Sequence, residues 1–155
     1  MDEIKDISPK SVKFVLPAEF QPLVERAKAA LQTIDAPTDE RTGAQAVVVE
    51  AKDGRLYSSA VADWFTAPKD EDGLCPGERA IIEDLRAAGS PAVRLLCMWK
   101  IEDGAFNHLP LDQSSGDFRA ALYALKEENG NARLPLIGWD RYITKTVWET
   151  LPPQR

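Results

Sequence analysis

The chain predicts an α/β domain of three layers, α/β/α, around a mixed five-stranded sheet. Three observations carry this. An amphipathic helical pattern opens the domain, two apolar runs rich in β-formers follow, and helical and strand signals then interleave in the order α-β-β-α-β-α-β-β.

The elements justify themselves in turn. Residues 1–17 alternate charges with a short apolar patch, Val12 to Leu16, and end at Pro17, so they read as an N-terminal arm ahead of a single domain at 18–155. Phe20, Leu23, Val24, Ala27, Ala30, Leu31 and Ile34 recur at three- and four-residue steps, which puts them on one face of a first helix, with Pro22 tolerated in its first turn. The Asp35 to Glu40 segment breaks that helix. Ala44 to Glu50 contains three consecutive valines and predicts a central strand; Lys52 to Arg55 supplies turn residues, and Leu56 to Ala62 returns as the second arm of a hairpin.

An acidic loop from Trp64 to Gly73 leads to Pro76, suited to the first position of a second helix whose apolar positions Ala80, Ile81, Leu85 and Ala88 share a face. Gly89 and Pro91 stop it. Ala92 to Trp99 is almost wholly apolar, as a strand covered on both faces should be. Phe106 to Gln113 reads as irregular. Ser114 or Ser115 can cap a third helix running through Glu128, stopped by Asn129-Gly130-Asn131. Leu134 to Trp139 and Tyr142 to Val147, joined at Asp140-Arg141, complete the sheet.

With 155 residues, 44% of them hydrophobic, the chain is large enough for one core. A balance of 25 acidic against 19 basic residues leaves a net charge of -6, which argues against nucleic acid as a partner. No run of about 18 apolar residues and no basic-then-apolar leader occurs, so neither membrane insertion nor secretion is expected. Cys75 and Cys97 form no paired-cysteine pattern, and a reducing cytoplasm is the simplest compartment.

Local sequence resembles the short cytidine deaminases at several places. Cys75-Pro76-Gly77-Glu78-Arg79-Ala80-Ile81 resembles that family's Cys-Ala-Glu-Arg-x-Ala-Ile segment at the start of a helix. Gly43 to Val49, Asp53-Gly54-Arg55 and Leu56 to Val61 resemble its first hairpin, and Glu149-Thr150-Leu151-Pro152 its closing Glu-Leu-Leu-Pro. The resemblance spans roughly residues 18 to 153 and implies the cytidine deaminase-like fold.

It also implies a chemistry that this chain lacks the residues to perform. A deaminase of this type holds zinc on three thiolate or imidazole ligands, the metal activates water, and a neighbouring glutamate moves the proton. Aligned on those motifs, the ligand positions carry Pro76, Ser115 and Phe118, none of them a zinc ligand of the family kind, while Glu78 occupies the proton-shuttle position. The sugar-binding Asn-x-Glu is replaced by Ala60-Val61-Ala62. No cofactor is expected, zinc included, unless Cys75, His108, Asp112 and Asp117 build a non-standard site.

Glu78 is therefore either a retained acid or base or a helix-start carboxylate favoured by the helix dipole. Trp64 and Phe65 directly follow the second strand, at the end where this fold has its pocket, and are candidate ligand-stacking residues; Ser114, Ser115 and Gly116 are candidate anion contacts through free backbone amides. Trp99, Phe106, Trp139, Tyr142 and Trp148 are further candidates to line a base-stacking pocket with Trp64 and Phe65, though singly each is more often a core or interface aromatic. Two functional expectations follow. The first is a catalytically degenerate, non-enzymatic protein that binds a nucleoside-like small molecule or a protein partner. The second is an enzyme of the base-deaminase class with altered chemistry, using Glu78 and an unusual metal site. The resemblance further implies self-association as a homodimer or homotetramer.

Overall fold

The computed structural model describes residues 16–34, 44–100, 106–108, 116–137 and 142–151; the arm up to residue 15, Asp112, Ser114, Ser115 and Trp139 lie outside them. A 3-10 turn at Ala18–Phe20 leads into α1 (Gln21–Gln32), with Pro22 in its first turn as its fixed φ allows. The hairpin consists of β1 (Gln45–Ala51) and β2 (Leu56–Val61), antiparallel with Gln45 opposite Val61. At its turn Gly54 takes a left-handed φ of 91°, and the Asp53 carboxylate accepts the Arg55 N–H at 3.0 Å. Then come α2 (Pro76–Ala88), β3 (Ala92–Lys100), β4 (Phe106–His108), α3 (Gly116–Leu125), β5 (Arg133–Ile137), β6 (Tyr142–Thr146) and α4 (Val147–Thr150).

The sheet runs β2-β1-β3-β5-β6, with β4 paired to β3 off that path. Only β3 and β5 pair in parallel among the described strands, as the crossover through α3 requires. Alternation along β1 and β3 sorts the core into two. Ala46, Val48, Leu96 and Met98 meet Phe20, Leu23, Val24, Ala27 and Leu31 of the α1 layer. Val47, Val49, Ala51, Leu95 and Cys97 face the other way, toward Ile81, Ile82 and Leu85 of α2 and Phe118 and Leu122 of α3. Each such large side chain removed from water contributes about 1.5–3 kcal/mol. These clusters place a helical layer on either face of a mixed sheet, in the order expected from the sequence.

Three boundaries differ from expectation. The stretch expected to be irregular contains β4, whose three residues pair with Met98 to Lys100. The third helix stops at Leu125 rather than Glu128: Lys126 is extended (φ -160°) and a 3-10 turn occupies Glu127–Asn131. Buried Asn129 explains the break, because its amide donates to the Leu122 carbonyl and accepts the Ala92 N–H, both at 2.8 Å, tying the helix end to the start of β3. Finally, the last strand ends at Thr146, which forms a capping box with Glu149 and starts α4.

Replacing Asn129 by Ala removes the acceptor of the buried Ala92 N–H and leaves the Leu122 carbonyl with only the 3.4 Å contact from the Lys126 N–H. We expect a loss of about 2–3 kcal/mol, read as a lower urea midpoint at unchanged m-value.

Candidate functional site

The start of α2 gathers the chemistry-bearing residues. Cys75 is extended and serves as N-cap, Pro76 is the first helical residue, and Gly77 lies so close to β2 that an added Cβ would stand 2.6 Å from the Ser59 Cβ. Glycine is what lets the helix start lie this close to the strand. Glu78 is third in the helix and only 4% exposed. Its Oε1 accepts the Cys75 N–H at 2.9 Å, completing a capping box, and its Oε2 accepts the Trp64 indole N–H at 3.3 Å. Both oxygens of the carboxylate thus have partners, and the helix dipole favours the charge at this end.

Around this carboxylate stand Gln45, Val47, Ser59, Val61, Trp64 and Cys75. The space they leave is about 10 Å³, room for one water at most. Gln45 opens β1, is 4% exposed and accepts the Cys97 thiol at 3.0 Å through Oε1, while its Nε2 has no partner among the described residues. It is directly opposite Trp99 in the sheet register, and the buried Trp99 indole N–H likewise has no partner among the described residues.

Trp64 and Phe65 come together as expected, but Trp64 fills the site rather than flanking an opening. Phe65 is 66% exposed, stacks on Trp99 (centroids 5.7 Å apart, planes 21° apart) and meets Trp64 edge-on at 5.6 Å. Lys69 Nζ lies 4.3 Å from the centre of the Trp64 ring and donates to the Trp64 and Ala67 carbonyls. Beyond it, Asp70 accepts the Asp72 and Leu74 N–H groups and an Arg79 contact of 2.8 Å. The Arg79 hydrogen bond first, then that from Leu74, holds the Asp70 carboxyl below its usual range.

The remaining sequence candidates separate. Phe118, at one aligned ligand position, is a core residue 1% exposed, and Pro76 begins α2. Gly116 begins α3 and is exposed; Ser114 and Ser115 lie outside the described residues. Ala60 packs toward α1, so Val61, not Ala60, reaches the site. Trp148 is elsewhere, 5.5 Å from Tyr123. Of the suggested mixed-ligand set, Cys75 and Asp117 are described, whereas Asp112 and the His108 side chain are not; no cluster of three metal-ligating side chains occurs among the described residues. Gln45 and Ser59 were not evident from sequence, although a lone amide at the start of a strand buried on both faces is a signal for the first.

Among solved structures, the cytidine deaminase from Mycobacterium leprae matches over 88% of this chain and all of its own, at 18% identity and a TM-score of 0.52. The cytidine deaminase from Bacillus anthracis matches over 83% of this chain and 84% of its own, at 16% identity and a TM-score of 0.53. The chain has a cytidine deaminase-like fold. No protein-family model and no curated protein matches it. At these identities the likeness is one of fold, and within this deaminase-like fold the glutamate at the start of α2 is engaged in structural hydrogen bonds.

Two outcomes test the site. Glu78→Ala removes a cap and the indole's acceptor, and should cost about 1–2 kcal/mol by urea denaturation, with Glu78→Gln costing less because one oxygen survives. Burial, the largest cause, holds the Cys75 thiol above its ordinary value. The folded state then keeps a proton that the unfolded chain releases above about pH 8.5, so stability is level below that pH and falls as pH rises past it. Half-buried Tyr142, pushed up to about 12, adds to the loss above about pH 10. Cys75→Ser, which caps without titrating in this range, should reduce the alkaline slope.

Proposed function

We propose that this protein is a non-catalytic, deaminase-like binding protein, acting on a nucleoside-like small molecule or a protein partner rather than turning over cytidine. The single observation that carries this reading is the occupation of Glu78: one oxygen caps α2, the other holds the Trp64 indole, and the space beside them is about 10 Å³. In a deaminase of this kind the carboxylate works on a metal-held water, so Glu78, whether its second oxygen is held by Trp64 or offered to a ligand, does not supply the reaction by itself. The residues at the aligned ligand positions point the same way, since Pro76 offers no donor atom and Phe118 is a core residue. The donor set does not fit a zinc ion of the deaminase kind, and no step is assigned to one.

Purified protein should contain well under stoichiometric zinc by elemental analysis and release no ammonia from cytidine or deoxycytidine. Stoichiometric zinc together with ammonia release would defeat the reading.

Self-association as a homodimer or homotetramer belongs to the same proposal, supported by the exposure of Phe65 at 66% and Trp148 at 52%. Light scattering should give a mass of two or four chains, and a concentration-independent monomer would refute it. A cytoplasmic setting belongs to the same proposal, and the two cysteines Cys75 and Cys97, neither of them in a disulfide, accord with it.

A further inference from the structure

The segment carrying Trp64 is bonded mainly to itself. Phe65 N–H donates to the Asp63 carboxylate at 3.0 Å, Ala67 N–H to the Asp63 carbonyl at 3.1 Å, and Lys69 Nζ to the Ala67 carbonyl at 2.7 Å and to the Trp64 carbonyl. Among the described residues, the hydrogen bond it makes to the body of the domain through a side chain is the 3.3 Å contact from Trp64 to Glu78, long for an N–H···O bond. The other hold is the stacking of exposed Phe65 on Trp99. Such a turn can swing away as a unit without leaving its own polar groups unpaired.

What lies beneath it is unsatisfied in the closed arrangement. Gln45 Nε2 and Trp99 Nε1 are buried N–H donors on residues facing each other across β1 and β3, and neither has an acceptor among the described residues. Gln45 belongs to a residue 4% exposed and borders the same space as Glu78; Trp99 is 8% exposed and lies under Phe65. An unpaired buried donor carries an uncompensated desolvation cost, and native structures keep few of them. Trp64 supplies an N–H to Glu78 but has no oxygen for these donors. It is an incomplete occupant.

We infer that Trp64 is a displaceable, built-in occupant of a ligand site, and that the ligand is a planar cyclic amide. Glu78 Oε2 requires an N–H to replace the indole's, Gln45 Nε2 requires an acceptor oxygen, and the ring face of Trp99, uncovered when Phe65 moves with Trp64, favours a flat heterocycle. A ring bearing N–H beside C=O meets all three demands. The inference rests on the proposed binding role and deepens it: free protein is self-occupied, and the ligand binds by competing with Trp64. Its apparent affinity is reduced by the fraction of molecules that are closed.

The test uses the full chain with two probes, 2-pyridone, a cyclic amide, and indole, which has the N–H without the carbonyl, followed by calorimetry or ligand-observed NMR. Trp64→Ala should bind 2-pyridone at least about tenfold tighter than wild type. Adding Gln45→Leu should weaken 2-pyridone about tenfold while leaving indole within about twofold. Trp64→Phe keeps an aromatic ring and loses only the hydrogen bond to Glu78; it should bind 2-pyridone more tightly than wild type, and it preserves the test if circular dichroism finds Trp64→Ala unfolded. The inference is overturned if neither Trp64 variant that folds gains affinity for 2-pyridone, or if the gain survives Gln45→Leu. Ammonia release from cytidine would end the non-catalytic reading while leaving the gate intact, whereas absent 2-pyridone binding would end the gate alone.

Discussion

The pairing of β1 with β3 is the constraint on which the rest of the molecule depends. Both strands are covered on both faces, and their antiparallel register, from Gln45 opposite Trp99 to Glu50 opposite Arg94, sends alternate residues to opposite helical layers. A slip of β1 by one residue against β3 would turn Val47 and Val49 away from α2 and α3 and toward α1 while Leu95 and Cys97 stayed. The register is reinforced at its far end by the ion pair of Arg94 with Glu50 at 2.8 Å, half-shielded and held between the facing positions. The same register brings Gln45 and Trp99 together at the other end, beside the start of α2.

That helix start shows how one residue can serve structure where a related arrangement would serve chemistry. Glu78 is third in the helix, where a carboxylate both reaches the N-cap N–H and feels the positive end of the helix dipole. Burial at 4% exposure makes partners obligatory for both oxygens, and the Trp64 indole provides the second. A glutamate at this point therefore stabilises the fold whether or not a metal ever sits beside it. Its persistence in the helix is not evidence of turnover.

The loop between β2 and α2 has two differently held halves. From Asp70 to Leu74 it is bound to α2, with Asp70 bridging Arg79 and two backbone N–H groups, and Gly73 at a φ of 84° packed so closely on Asp117 that a Cβ would collide. From Asp63 to Lys69 it closes mostly on itself and leans on the site through Trp64 and Phe65. Firm anchorage at one end and aromatic contact at the other confine any motion to the half that covers Glu78.

Periodicity and punctuation in the amino-acid order were enough for α1, the hairpin, α2 and β3, because Leu23 to Leu31, Val47 to Val49 and the Gly89 stop are local patterns whose physics needs no partner. The Glu78 motif and the unsuitability of Pro76 and Phe118 as zinc ligands were equally readable, since side-chain chemistry does not depend on the fold. Three features were decided only in three dimensions. Asn129 ends α3 early because it finds Ala92 and Leu122, residues 37 and 7 positions away. Val61 rather than Ala60 reaches the site because strand pairing sets which face each residue takes. Above all, Trp64 and Phe65 were visible as a pair after a strand, but whether they line a pocket or fill it depends on the distance from β2 to α2, which Gly77 against Ser59 makes short. That distance is a property of packing between elements far apart in the chain, and no local pattern encodes it.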